Sequence, residues 1–194
     1  MGKKIIILAL LVSCVSVQFG QKIDDRTSLF SASATISPGY MLSQKESTVS
    51  LHGFAELFIQ TNISIKADAY WFLSGQNEGS SVFQNTGGFF GGAYHFTKKG
   101  KFDPWIALQP GVSFVAMNSG LLTSGSTVAP LLSTAVGITF QMSRWFNLYA
   151  QGRYIAGNAK IGAPYNSSLH EFRLSFGLGF SYINADKCND CPQW

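Results

Sequence analysis

From His170 to Tyr182 the chain sorts its side chains with a period of two. His170, Phe172, Leu174, Phe176, Leu178, Phe180 and Tyr182 fall on one face, and Glu171, Arg173, Ser175, Gly177, Gly179 and Ser181 on the other. One face is large and apolar; the other is charged or tiny. A strand sends successive side chains to opposite faces, whereas a helical period of 3.6 would mix the two sets. The pattern recurs. Val49, Leu51, Gly53, Ala55, Leu57 and Ile59 oppose Ser50, His52, Phe54, Glu56 and Phe58, and Ile63, Ile65, Ala67, Ala69 and Trp71 oppose Ser64, Lys66, Asp68 and Tyr70. Segments around 30–37, 89–96, 106–114, 132–141 and 146–154 read the same way. That makes about eight strands, each near the roughly 9–11 residues that cross a bilayer at a tilt.

Composition separates the architectures that such strands can build. Charged residues are 12% of the chain, about half the roughly 25% of an ordinary soluble domain. Hydrophobic residues reach 46%, yet beyond the N-terminus no apolar run approaches the roughly 20 residues of a spanning helix. An apolar chain this finely interrupted is a soluble sandwich or a membrane barrel. The connections favour the barrel. Gln60-Thr61-Asn62, 97–103 and 141–145 are short or compact. Segments 38–48, 74–85, 116–127 and 157–168 are longer and rich in Gly, Ser and Asn. Transmembrane barrels pair short periplasmic turns with longer external loops. In hydrocarbon every backbone polar group must be paired, so a spanning sheet closes on itself. The expected fold is all-β: an eight-stranded antiparallel up-and-down transmembrane β-barrel over residues 28–183.

The first 20 residues are set apart. Lys3 and Lys4 precede the unbroken apolar run Ile5 to Val12, too short to span a bilayer and suited to a secretory signal. Cleavage after Gly20 puts Gln18, a poor residue, three places before the cut; cleavage after Ser16 puts small residues at both key places; and Leu11-Val12-Ser13-Cys14 is similar to a lipoprotein signal in which Cys14 is lipidated. Losing Lys3 and Lys4 with the leader takes fourteen basic residues to twelve against ten acidic, a net charge of +2. That gives no basic footprint for nucleic acid. Cys188 and Cys191 lie in a short polar tail, residues 184–194. In an oxidising compartment they are expected to form a small disulfide loop.

Blocks such as Leu51-His52-Gly53-Phe54-Ala55-Glu56-Leu57-Phe58 running into Ile63-Ser64-Ile65-Lys66-Ala67-Asp68-Ala69-Tyr70, behind an export signal, resemble small Gram-negative outer-membrane barrels. These are the OmpA/OmpX-like and "outer membrane protein β-barrel domain" families. The resemblance covers essentially the whole mature chain and implies the cell outer membrane. One departure stands out. Such barrels usually end on an aromatic residue of the last strand, whereas here that strand ends near Tyr182-Ile183 and a tail follows to Trp194.

By the alternation, His52, Glu56, Lys66, Asp68, His95, Arg153, Glu171 and Arg173 face the lumen. A symmetric turn at Gln60-Thr61-Asn62 sets Glu56 opposite Lys66 and Phe54 opposite Asp68, and Arg153 is expected to meet Glu171. An eight-stranded barrel is just wide enough for side chains to fill, so a packed polar plug is the economical reading. Trp71, Phe72, Trp105, Trp145, Phe146, Tyr154 and Tyr182 are expected to form interfacial girdles, where amphipathic rings favour the headgroup zone. No cofactor is implied. His52, His95 and His170 lack the spacing of a metal site. Expected partners are outer-membrane lipids and other outer-membrane or periplasmic proteins. The function expected is structural: envelope integrity, or a subunit of a larger complex. The alternatives are a narrow porin passing small solutes and a lipid A-modifying enzyme using Ser168, His170 and Glu171. The expectation is of no enzyme, because neighbouring residues of a strand point to opposite faces and would separate His170 from Glu171.

Overall fold

A computed structural model describes residues 29–75, 82–97, 101–118, 124–143, 145–160 and 166–183. The expected export signal and the tail with Cys188 and Cys191 lie outside them. The strands are β1 (Leu29–Met41), β2 (Glu46–Gln60), β3 (Ile63–Gly75), β4 (Val82–His95), β5 (Phe102–Asn118), β6 (Ser124–Gln141), β7 (Phe146–Lys160), β8 (Asn166–Ser168) and β9 (Glu171–Ile183). Each long strand pairs antiparallel with its neighbours in the chain, and β9 pairs with β1 to close the wall. Three-residue β8 continues the β7–β9 hairpin in the same register: Asn158 pairs with Ser168 as Ile155 does with Glu171. Eight long strands therefore make one closed barrel with the start of β1 and the end of β9 at the same rim.

The alternation carries through. Leu57, Leu108, Val136, Leu174 and Phe176 face outward and are exposed, while Ser50, His52, Gln109, Ser133 and Ser175 face inward and are buried. The turn register is as the sequence predicts, with Glu56 opposite Lys66 and Phe54 opposite Asp68.

Two expectations are corrected. The first concerns the loops. β1 runs past Pro38 to Met41 and β2 starts at Glu46, leaving a four-residue turn, Leu42–Lys45, closed by a left-handed Lys45 (φ 56). Similarly, β5 and β6 pair out to Asn118 and Ser124. Among the described residues, 38–41, 46–48, 116–118, 124–127 and 157–160 of these Gly-, Ser- and Asn-rich segments are strand, because an established hairpin register carries poor strand formers with it. The second concerns Trp105. It is no girdle residue: it is only 2% exposed, inside the barrel, with its Nε1 donating to Thr139 Oγ1 at 3.2 Å. Its parity with Ala107 and Gln109 fixes the inward direction. Phe72 likewise pairs with inward Ser50, one step beyond exposed Trp71. Trp71, Trp145, Phe146, Tyr154 and Tyr182 do face outward.

Inside, Met41, Tyr70, Phe89, Val115, Ala129, Leu131, Ile155, Ala159 and Leu169 form one buried cluster that runs from the level of Asp68 towards the rim away from the start of β1. Buried Thr48, Asn85, Glu171 and Arg173 lie alongside it. A smaller cluster, Ala93, Trp105, Ala107 and Ala135, is buried elsewhere in the lumen.

Candidate functional site: the packed lumen

Three buried groups follow one another along the barrel. The first lies near the rim that carries the termini. Ser64 Oγ donates to Glu56 Oε1 at 2.6 Å, and His95 Nε2 lies 3.1 Å from the same oxygen. The other ring nitrogen, Nδ1, lies 2.8 Å from Asp103 Oδ2. One imidazole thus joins β2, β4 and β5, with the Phe58 ring 4.4 Å away. Above it sits Lys66, whose Nζ is 3.9 Å from the Phe54 ring, 4.0 Å from the Trp105 ring and 3.9 Å from Glu56 Oε2. Two ring faces and a carboxylate share one desolvated ammonium, an arrangement stronger here than in water.

The second group centres on Asp68. His52 Nε2 lies 2.9 Å from Oδ1, and Gln109 Nε2 donates to Oδ2 at 2.8 Å. Arg153 Nη2 forms an ion pair with Oδ2 at 2.9 Å, at an angle outside hydrogen bonding, while Arg153 Nη1 donates to Ser133 Oγ. The His52 ring stacks on Tyr70 at 4.3 Å. The third group is Glu171, which accepts from Thr48 Oγ1 at 2.8 Å, Asn85 Nδ2 at 3.1 Å and Arg173 Nη2 at 2.7 Å.

All eight lumen residues singled out from the sequence are therefore buried on the inner face. Arg153 does not meet Glu171. Its charge goes to Asp68, across the lumen on β3, and Glu171 takes Arg173, two residues along its own strand. Alternation gives a residue's face but not its cross-barrel partner, which depends on barrel shear. Asp103 and Gln109 were missed as partners: Asp103 reads as part of a turn, and Gln109 carries no charge to draw attention.

Ser64, His95 and Asp103 stand in the sequence of contacts of an acyl-transfer triad, Oγ lying 3.0 Å from Nε2. The chemistry does not follow. The Ser64 proton goes to Glu56, Ser64 is fully buried, and a nucleophile needs both its base and a route for substrate. At the opposite rim Ser168, His170 and Glu171 are not assembled either. His170 Nδ1 lies 2.6 Å from Tyr154 Oη on the outer face, and the Glu171 carboxylate is held inside by three donors.

Eight strands in a closed meander, apolar outside and charged but packed inside, are the fold of the small outer-membrane β-barrels. Solved structures of that class superpose on most of this chain. The N-terminal barrel domain of Pseudomonas aeruginosa OprF is 12% identical, with 81% of this chain and 98% of that one covered at a TM-score of 0.56. The Neisserial surface protein A is 14% identical, with 79% and 96% covered at 0.59. Ail, the attachment invasion locus protein of Yersinia pestis, is 12% identical, with 80% and 99% covered at 0.57. At such identities the likeness is one of fold. No family model and no curated protein matches the sequence.

Proposed function

We propose that this chain is an integral outer-membrane protein whose barrel is a closed, non-conducting body, serving envelope integrity or acting as a subunit of a larger outer-membrane assembly. The observation that carries the reading is the burial of its inner side chains. His52, Gln109, Ser133 and Arg153 are 0% exposed, and Lys66 is 1%. Side chains with no exposure leave no water-lined channel or cavity beside them. A cross-section filled in this way supports a lumen that does not conduct ions. Reconstitution in planar bilayers tests the reading: no stepwise currents are expected, and reproducible unitary currents would replace it with the narrow porin. The fold of its solved neighbours and the exposed apolar wall support the outer-membrane location.

Residues 1–20 are read as a removable export signal and Cys188–Cys191 as a disulfide loop. The intact mass of the protein purified from membranes distinguishes a chain starting at Gln21, one starting at Val17 and one lipidated at Cys14. Lipid A composition with and without the protein tests the enzymatic alternative, with no change expected.

A further inference from the structure

The barrel closes where its first and last strands meet, and there the backbone ladder lapses. Leu29 to Ser33 pair with Gly179 to Ile183, and Gly39 to Met41 with Glu171 to Arg173, all in one register. Between them Ala34–Pro38 and Leu174–Leu178 face each other without pairing. The β1–β2, β6–β7 and β7–β9 ladders run unbroken through the same depth.

The cause can be traced to single residues. Leu42 N donates to His170 O in this register, so even-numbered residues of both strands aim their backbone groups across the seam. Pro38 is one of them and has no N–H. The carbonyl it should serve, on Leu174, accepts from the Ser37 hydroxyl instead, at 2.7 Å. The same replacement repeats at the next two ladder steps. Thr35 Oγ1 donates to Phe176 O at 2.7 Å, and Ser33 Oγ to Leu178 O at 2.9 Å. Three hydroxyls from the inner face stand in for three backbone donors. Gly177 leaves room for this, since a Cβ there would lie 3.0 Å from Thr35 Oγ1.

We infer that this segment is an opening line built into the wall. Ala34–Pro38 parts from Leu174–Leu178 locally and reversibly, towards the bilayer, while the unbroken β1–β2, β6–β7 and β7–β9 interfaces hold. A hydroxyl bond is worth about 1 kcal/mol net and can be exchanged for a lumen acceptor by rotating one torsion, without unravelling a ladder. No hairpin turn tethers the seam: the bonded residues are 137 to 145 positions apart in the chain. Its closure therefore carries the largest loop entropy in the barrel.

Residue-resolved amide hydrogen exchange in lipid nanodiscs tests this. The amides of Ala34, Ile36, Leu174, Phe176 and Leu178 are expected to exchange at least about tenfold faster than those of Val136, Ile138, Ala150 and Gly152, which sit in the unbroken β6–β7 ladder. Equal protection overturns the inference. Pro38→Ala restores the missing donor and is expected to slow exchange at Phe176 and Leu178 several-fold; unchanged rates there overturn the role given to the proline. A disulfide between A34C and L178C, with Cys188 and Cys191 replaced by Ser, separates motion from a static lack of bonds. Oxidation is expected to bring Ile36 and Phe176 down to the β6–β7 rates, and reduction to reverse it. Fast exchange that persists under the cross-link would mean that the wall does not open.

Discussion

Arg153 and Arg173 stand directly opposite each other on β7 and β9, both pointing inward. Like charges in register repel, and the barrel separates them by giving each its own carboxylate, Asp68 for one and Glu171 for the other. The Tyr70 ring is near both, 5.5 Å from the Arg153 guanidinium carbon and 4.4 Å from that of Arg173. Removing one member of such a pair strands the other charge in a dry interior, at a cost of about 3–5 kcal/mol. Arg153→Met is therefore expected to lower the urea midpoint for unfolding in detergent steeply. Asp68→Asn in the same chain should recover part of the loss, and a double variant as unstable as the sum of the two singles would count against the pairing. Trp105 supplies a second test at this scale. Trp105→Ala empties space under Lys66 and should cost about 3–5 kcal/mol, while Trp71→Ala on the outer wall should cost under about 1 kcal/mol by the same assay. The contrast also shows what the sequence made legible. Parity alone places Trp105 beside Ala107 and Gln109 inside; residue type alone places it in a girdle. Parity is imposed by the backbone and wins.

At the scale of elements, a closed barrel has no edge on which to hide a proline, so a proline sits at a break or an end of a ladder. Pro110 aims its missing N–H at β4, and the β4–β5 pairing skips Phe90 and Gly91. Pro130 sits where the β6–β7 ladder begins, one step beyond Leu131. Period two reveals none of this, because it reports faces and not the direction of hydrogen bonds. The turn register supplies that direction, which is why Glu56–Lys66 was readable and the β1–β9 seam was not. Glycine positions follow the same logic. A Cβ at Gly91 would lie 2.4 Å from the Leu108 carbonyl oxygen, an atom that cannot move without breaking the β4–β5 pairing. Gly91→Val is expected to abolish the faster-migrating, unheated form on detergent gels that marks a folded barrel. Retention of that form would show that the wall yields there.

For the whole molecule, the decisive quantity is where the bilayer sits. The outward row of β9 runs from Phe172 to Tyr182, ten residue steps. At about 3.3 Å per step and a tilt near 40°, that spans roughly 25 Å, the height of the apolar band of an outer-membrane barrel. The strands run to as many as 18 residues, longer than that band requires, and their excess lies at the far end, around the apolar cluster of Met41, Val115, Ile155 and Leu169. The molecule thus combines two solvation regimes. One zone is turned inside out for lipid, and beyond it the strands continue around an interior that holds Met41, Val115, Ile155 and Leu169 beside the Glu171 group. The sequence showed the first zone because lipid enforces strict alternation. It hid the second because polar, glycine-rich strands in water look like loops. A charge scan along β9 separates the two regimes. Phe176, 67% exposed near mid-height, should lose about 2–4 kcal/mol of folding free energy in lipid vesicles when changed to Arg. Tyr182→Arg, at the rim, should lose about 0–1 kcal/mol, because there the guanidinium reaches headgroups and water. Equal costs at the two positions would mean that the exposed wall does not face hydrocarbon, and the membrane assignment would fall with it.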